Sequence, residues 1–389
     1  MKNKLGDICS FQSGGTPSKA NADYYCGDIP WITTVALNGQ TIGKTAAVDW
    51  ITEKAIEESA AKIVPARSIM VGTRVGVGKV AINEVPMSTN QDIISLVGVN
   101  ESLWSKEYIC KLIQSKETYL KSQARGATIK GIKIDVLASL DIPDVPLDLQ
   151  QEIVAVLDKV QSILVARRLQ LSALDDLIKA RFVEMFGDPL LNPKNWQEKK
   201  LEEIADIVSG ITKGRKVQSA DLYEVPYMAV SNVKDGYIDW TTVKTILATK
   251  AEIKQFRLLP NDVLMTEGGD PDKLGRGAII HEPPSDCIHQ NHIFRVRLDQ
   301  SKITPEFMGQ YLQHQKAKRY FLGCAKQTTG IASINMKQLR ALPMLMPPIG
   351  LQREFATFVA QIDKSKSAIQ KSLDETQILF DSLMQKYFG

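Results

Sequence analysis

Cysteine, net charge and long apolar runs are all scarce in this 389-residue chain, and each scarcity excludes something. The five cysteines, Cys9, Cys26, Cys110, Cys287 and Cys324, are odd in number, scattered and never spaced C-x-x-C. They announce neither a disulfide framework nor a zinc knuckle and read as reduced packing thiols. No run of about 18 uninterrupted apolar residues occurs, and the opening Met1-Lys2-Asn3-Lys4-Leu5-Gly6-Asp7 lacks the apolar stretch of a signal peptide. The expectation is a cytoplasmic protein without membrane contact. Lys plus Arg number 48 against 44 Asp plus Glu, so the net charge of +4 names no partner by itself. Hydrophobic residues at 44% and charged ones at 24% are those of an ordinary globular protein, and the length allows two domains.

Catalytic signatures are missing as well. Gly72-Thr-Arg74-Val-Gly76-Val-Gly78-Lys79 invites a phosphate-loop reading, but the glycine spacing is one residue too long. Val80 also replaces the magnesium-binding Ser or Thr, and β-type residues follow where a helix should start. A glycine-rich hairpin carrying Arg74 and Lys79 fits better, with backbone and cations free to approach a phosphate chain. Cys287, His289 and His292, with His281 nearby, suggest a metal cluster. The matching place earlier in the chain, Ser88-Thr-Asn90-Gln91-Asp92, has no histidine, so these residues read as polar strand-edge groups. Asp270 and Asp272 beside Gly268-Gly269 read as a solvated turn. No Ser/His/Asp order, H-E-x-x-H or N-P-P-[YFW] methyltransferase motif is present.

What the chain does have is an internal repeat, which sets the architecture. Lys4-Leu5-Gly6-Asp7-Ile8 with Gly14-Gly15 recurs as Lys200-Leu201-Glu202-Glu203-Ile204 with Gly210. Pro30-Trp31-Ile32 recurs as Pro226-Tyr227-Met228, Val64-Pro65 with Ile69-Met70 as Leu259-Pro260 with Leu264-Met265, and Asn90-Gln91-Asp92-Ile93 as Gln290-Asn291-His292-Ile293. The offset drifts through these segments, as loop insertions make it drift. It then locks: Pro146 to Ile153 becomes Pro348 to Phe355, and Phe186-Gly187 becomes Phe388-Gly389, without a gap. Each unit is therefore a variable globular part, 1–145 or 188–347, followed by a gap-free part, 146–187 or 348–389.

Steps of four and three through the first gap-free part give Ile153, Leu157, Val160, Leu164, Arg167, Leu171, Leu174, Ile178, Arg181 and Met185. The second gives Phe355, Val359, Ile362, Lys366, Ile369, Leu373, Thr376, Phe380, Leu383 and Tyr387. Such a seam predicts two long helices, each on the order of 60 Å, that pair with one another as a coiled coil. The globular parts mix short β-type runs (68–71, 79–82, 263–265, 278–280, 293–296) with one amphipathic helix each, around Tyr108 to Ile113 and Phe307 to Leu312. This is an α+β pattern. After each amphipathic helix comes a basic stretch free of acids, from Lys121 to Lys133 and from Lys316 to Arg340. Each contains a small polar loop, Gly126-Ala-Thr128-Ile129 or Thr328-Thr-Gly330-Ile331. Recurrence in both copies favours a polyanion-binding surface over a merely solvated face.

In this order, these residues resemble the specificity subunit of type I restriction-modification systems over essentially the whole chain. The carrying segments are Lys4 to Ile8 with Gly14-Gly15-Thr16-Pro17, Pro30-Trp31-Ile32, Gly72 to Gly76, Gly126-Ala127-Thr128, Pro146 to Ile153 and Phe186-Gly187-Asp188-Pro189. The resemblance implies two target recognition domains that each read half of a split double-stranded DNA sequence, separated by an antiparallel helix pair acting as a ruler. It also implies two modification subunits, which hold S-adenosylmethionine and methylate adenine, and two ATP- and magnesium-dependent restriction subunits, with no cofactor or catalysis on this chain. Candidate DNA contacts, mainly to phosphate, are Thr16, Lys19, Arg74, Lys79, Lys121, Arg125, Lys130, Lys213, Arg215, Arg276, Lys318, Arg319 and Lys326. The second copy departs from the pattern, with Gly210-Ile-Thr212-Lys213 for Gly14-Gly-Thr16-Pro17 and Leu274-Gly-Arg276-Gly277 for the Arg74 hairpin. Such divergence suits two domains reading different sequences. The alternatives are a specificity subunit of a methylation-only assembly and a tandem-domain adaptor that binds no DNA.

Overall fold

The computed structural model describes residues 3–126, 130–215, 221–269, 274–328 and 331–389. Two compact units emerge: Met1–Arg168 with Lys371–Gly389, and Leu169–Gln370. Among the described residues, no helix is long and apolar enough to cross a membrane.

In the first unit a five-stranded sheet runs in the order Ser10–Ser13, Ile93–Val97, Ile69–Gly72, Val80–Asn83, Thr41–Ile42. A second sheet runs Asp49–Ile51, Ile29–Ile32, Met87–Thr89, Ile63–Val64. The run Ile69–Gly72 is buried on both faces because its side chains alternate. Ile69 and Val71 enter the core beneath helix Lys106–Ser115, whereas Met70 enters a smaller core with Ile32, Met87 and Ile93. That helix buries Tyr108, Ile109, Leu112 and Ile113, and Ser105 caps it by accepting from the Tyr108 N–H. Asn3–Lys4 pairs antiparallel with Asp141–Ile142, so the beginning and end of the globular part are clasped together.

The second unit repeats the plan. Its main sheet runs Ala205–Ser209, Ile293–Leu298, Val263–Thr266, Gly277–Ile279, and Glu198–Lys200 pairs with Pro343–Leu345 as the clasp. Registers coincide across the repeat: Met70 faces Ala81 as Leu264 faces Ala278, and Gly72 faces Ile93 as Thr266 faces Ile293, so Ile69-Met70 corresponds to Val263-Leu264, one residue before the Leu264-Met265 match read from the sequence. An extra three-stranded sheet, Gly268–Gly269, Ile331–Ser333, Lys326–Thr328, belongs to this unit.

The gap-free parts are helices of equal length, Leu147–Phe186 and Ile349–Phe388. In the first unit Ile153 and Leu157 share a core with Phe380, Leu383, Met384, Tyr387 and Phe388. In the second, Ile178, Phe182, Met185 and Phe186 share one with Leu351, Phe355, Phe358, Val359 and Ile362. Early residues of one helix meet late residues of the other in each unit, so the pair is an antiparallel coiled coil. All twenty seam positions read from the heptads are buried or half-buried. The polar ones are accommodated individually. Lys366 reaches Asp175 on the facing helix at 2.6 Å, Arg181 pairs with Glu184 at 2.9 Å, and Thr376 donates to the Ser372 carbonyl at 2.6 Å.

Two glutamines fix each helix to its own globular part. Gln150 is fully buried; its amide donates to the Leu103 and Val145 carbonyls and its oxygen accepts from the Ser105 N–H. Gln352 does the same with the Lys302 and Pro347 carbonyls and the Thr304 N–H. In each copy the residue so held is the N-cap of the amphipathic helix, whose orphan backbone groups would otherwise be buried unpaired.

Candidate nucleic-acid interface

The hairpin predicted at Gly72 to Lys79 is present, joining strands Ile69–Gly72 and Val80–Asn83. Its tightness requires glycine: Gly76 and Gly78 have φ of 69° and 86°, and a Cβ on Gly72 would sit 2.4 Å from the Gly76 oxygen. The loop is stitched to its neighbours by backbone bonds. Thr73 N–H donates to the Asp92 carbonyl at 2.8 Å, and Ile132 N–H donates to the Thr73 carbonyl at 2.8 Å. Arg125 and Gly131 exchange two backbone bonds of 3.0 Å, closing the base of the basic loop. Gly131 permits this closeness, because a Cβ there would meet the Arg74 Cγ at 2.8 Å.

The result is a cleft of about 570 Å³ lined by Arg74, Gln123, Arg125, Gly131, Ile132, Lys133 and Val136. Three cations from two separate stretches of sequence converge on it. Arg74 is half exposed and lies 3.9 Å from Asp92, a looser contact than a hydrogen-bonded pair, so its guanidinium retains donors for an incoming anion. The cleft can hold a phosphate backbone by charge and by directed N–H groups. Sequence reasoning named Arg74 and Arg125 as contacts but not Gln123 or Lys133. Lys133 lies in the same acid-free stretch, which was the available signal.

The other candidates are placed as follows. Thr16 donates to the Gln91 side-chain oxygen, and both are exposed. Lys19, Lys79, Lys130, Lys213 and Arg319 are exposed, and Lys121 is paired with Glu117 one helical turn earlier. Lys318 is half-buried, 3.6 Å from Asp235, and Arg276 is half-buried on the turn before Gly277–Ile279. Arg215 is turned inward: it donates to both oxygens of Glu252 at 2.6 and 2.7 Å and to the Leu247 carbonyl. That guanidinium holds the Glu252 carboxyl down at about 2. The Lys326 side chain, the loop residues 127–129 and 329–330, and Asp270 and Asp272 lie outside the described residues.

The histidines do not gather. Among the described residues, no group of three or more His, Cys, Asp or Glu could hold a metal ion. His289 is fully buried, with Nδ1 3.1 Å from the Phe256 carbonyl and Nε2 3.3 Å from the Val208 carbonyl. Burial pushes its imidazole down to about 4. Folded protein therefore takes up this proton later than the unfolded chain, whose histidine titrates near 6.5. The stabilisation is complete above about pH 6.5 and is lost as pH falls toward 4, by roughly 3 kcal/mol from this group alone. Denaturant unfolding between pH 7 and 4 checks this. The wild-type acid limb should be steeper than that of His289→Gln, and equal slopes would assign the acid sensitivity to other groups. Burial likewise raises the Cys9 and Cys287 thiols to about 12, which leaves them unreactive.

Comparison with known proteins gives a consistent result. A family model described as "Type I restriction modification DNA specificity domain" matches residues 1–171 and again 193–377. The type I restriction enzyme MjaIX specificity subunit of Methanocaldococcus jannaschii is 25% identical over 402 residues, covering 98% of this chain and 91% of that one. The EcoKI specificity subunit of Escherichia coli K12 is 22% identical over 403 residues, covering 98% and 86%. The fold is shared with the crystal structure of a type I restriction-modification S subunit from M. genitalium, with TM-score 0.58 and 16% identity over 100% of this chain and 96% of that one. A second structure, from work on complex assembly and conformational transition of the type I system, gives TM-score 0.61 and 15% identity over 100% and 97%.

Proposed function

The chain belongs to the type I restriction modification DNA specificity family, and on that premise we propose that it reads a split double-stranded DNA sequence for a methylating and restricting complex. Residues 1–145 and 188–347 are the two target recognition domains. Residues 146–187 and 348–389 are the spacer on which two modification subunits dock, bringing S-adenosylmethionine, and which two ATP-dependent restriction subunits join. The chain contributes recognition and spacing, and the chemistry belongs to its partners. Its place of work is the cytoplasm, where the DNA is.

One observation carries the reading of the first domain as a DNA binder: three cations, Arg74, Arg125 and Lys133, line one cleft, closed by the Ile132–Thr73 backbone bond. Neutralising a phosphate releases a counterion, so each contact adds to the salt dependence of binding. In the assembled methyltransferase complex, Arg74→Ala should weaken DNA binding at all sequences alike and lower the slope of log K against log salt by about one. The sequences modified should not change. The slope is measured by titrating labelled DNA at several salt concentrations, and an unchanged slope would remove Arg74 from the interface.

A further inference from the structure

The two domains present different chemistry at one repeat-related place. In the first, Thr73 N–H donates to the Asp92 carbonyl and Ile132 N–H to the Thr73 carbonyl; in the second, Glu267 N–H donates to the His292 carbonyl at 3.0 Å and Ile334 N–H to the Glu267 carbonyl at 2.8 Å. With the strand registers, these bonds equate Thr73 with Glu267 and Asp92 with His292. The first domain thus carries a buried hydroxyl, Thr73, and a carboxylate, Asp92, that lies 3.9 Å from Arg74. The second carries a carboxylate, Glu267, paired with an imidazole, His292, and the two line a cleft of about 390 Å³ with Val230, Gly268 and Ser333.

Glu267 is one-third exposed and His292 more than half exposed, so both are within reach of a ligand. Their side chains are joined, Nδ1 of His292 lying 2.5 Å from a Glu267 oxygen, while Asn291 Nδ2 lies 3.3 Å from Nε2. A carboxylate only accepts, so Nδ1 of His292 donates to Glu267. One Glu267 oxygen is thereby held by the imidazole, and no hydrogen-bond donor among the described residues reaches the other. The wall of the cleft is the strand pair Gly268–Gly269 with Ile331–Ser333, whose outer partner, Lys326–Thr328, belongs to the acid-free basic stretch.

We propose that Glu267 is a base-reading residue of the second domain, accepting a hydrogen bond from an exocyclic amino group in the major groove, cytosine N4 or adenine N6, with His292 as its positioning residue. The inference rests on the DNA-reading function proposed above. A carboxylate facing DNA repels the phosphates of every sequence equally, so it favours binding where a base supplies the matching donor. Guanine and thymine offer acceptors at the corresponding groove positions, and Glu267 would oppose them.

The test is sequencing of the sites methylated by the assembled complex containing wild-type chain, Glu267→Ala, His292→Ala or His292→Asn. For Glu267→Ala, which removes the acceptor, we expect the preference for an amino-bearing base at one position of one half-site to fall about tenfold or more. The other half-site should be unchanged, and affinity for unrelated DNA should rise as the negative charge is lost. The base lost identifies cytosine or adenine as the target. His292→Ala should weaken the same position, and His292→Asn, which keeps a donor, should restore it. If Glu267→Ala leaves every position unchanged, or weakens methylation of all sequences alike while the complex stays assembled, the inference is overturned and the family function stands. If the wild-type complex modifies no split sequence, both fall.

Discussion

Replacing residues 1–145 with the matching domain of another family member should change one half of the modified DNA sequence and leave the other half and the gap as they were. The repeat and the clasps together lead to this expectation. Offsets drift within the globular parts but stay fixed through the helices, which separates a variable reader from a constant spacer. The exchanged segment begins and ends at paired strands, Asn3–Lys4 with Asp141–Ile142, so its two ends meet and the graft closes on itself. The graft must also keep an apolar floor, because Leu137 and Ile142 pack in the same core as Ile153, Leu157 and Phe388. The effect should be all-or-none at one half-site, read from the modified sites of the assembled complex. A change in both halves together would mean that the domains do not read independently.

Removing one heptad from each long helix at matched positions should do the reverse, shortening the gap while keeping both half-sites. A heptad spans about 10.5 Å, roughly three base pairs of B-form rise. The cut must follow the seam because a heptad is two turns to within about 20°, whereas a two-residue deletion would turn the apolar face of each helix by about 160°. It must also spare the aromatic cluster of Phe182, Phe186, Phe307 and Phe355, whose ring centroids lie 4.9 to 5.6 Å apart, and the Lys366–Asp175 pair. With the heptad removed, modification should move to sites whose gap is about three base pairs shorter. The two-residue deletion should abolish modification. A heptad deletion that left the gap unchanged would show that the helices do not set the spacing.

Much of this architecture is legible in the sequence because it depends on periodicity. The heptads place all twenty seam residues on buried or half-buried positions. The glycine spacing of 72–78 yields the hairpin, because φ values of 69° and 86° leave few alternatives. Other features depend on distant pairs that no local pattern encodes. The cleft forms because Ile132 bonds to Thr73, and Gln123 and Lys133 reach it only through that contact. Arg215 looks free in a basic loop until Glu252, a capping-box residue of helix Lys250–Phe256, is found beneath it. The long helices read as a separate segment. In the structure each half packs into a globular core, so the compact units divide at 168 and 370 rather than at the helix starts.

The central claim, that one chain reads two separate half-sites through two domains, is tested most directly by sequencing the methylated bases in cells that carry this chain with its modification partner. The account predicts a single asymmetric target made of two short specific segments divided by a gap of fixed length and unspecified sequence. Methylation confined to one continuous segment, or scattered without a consensus, would contradict it.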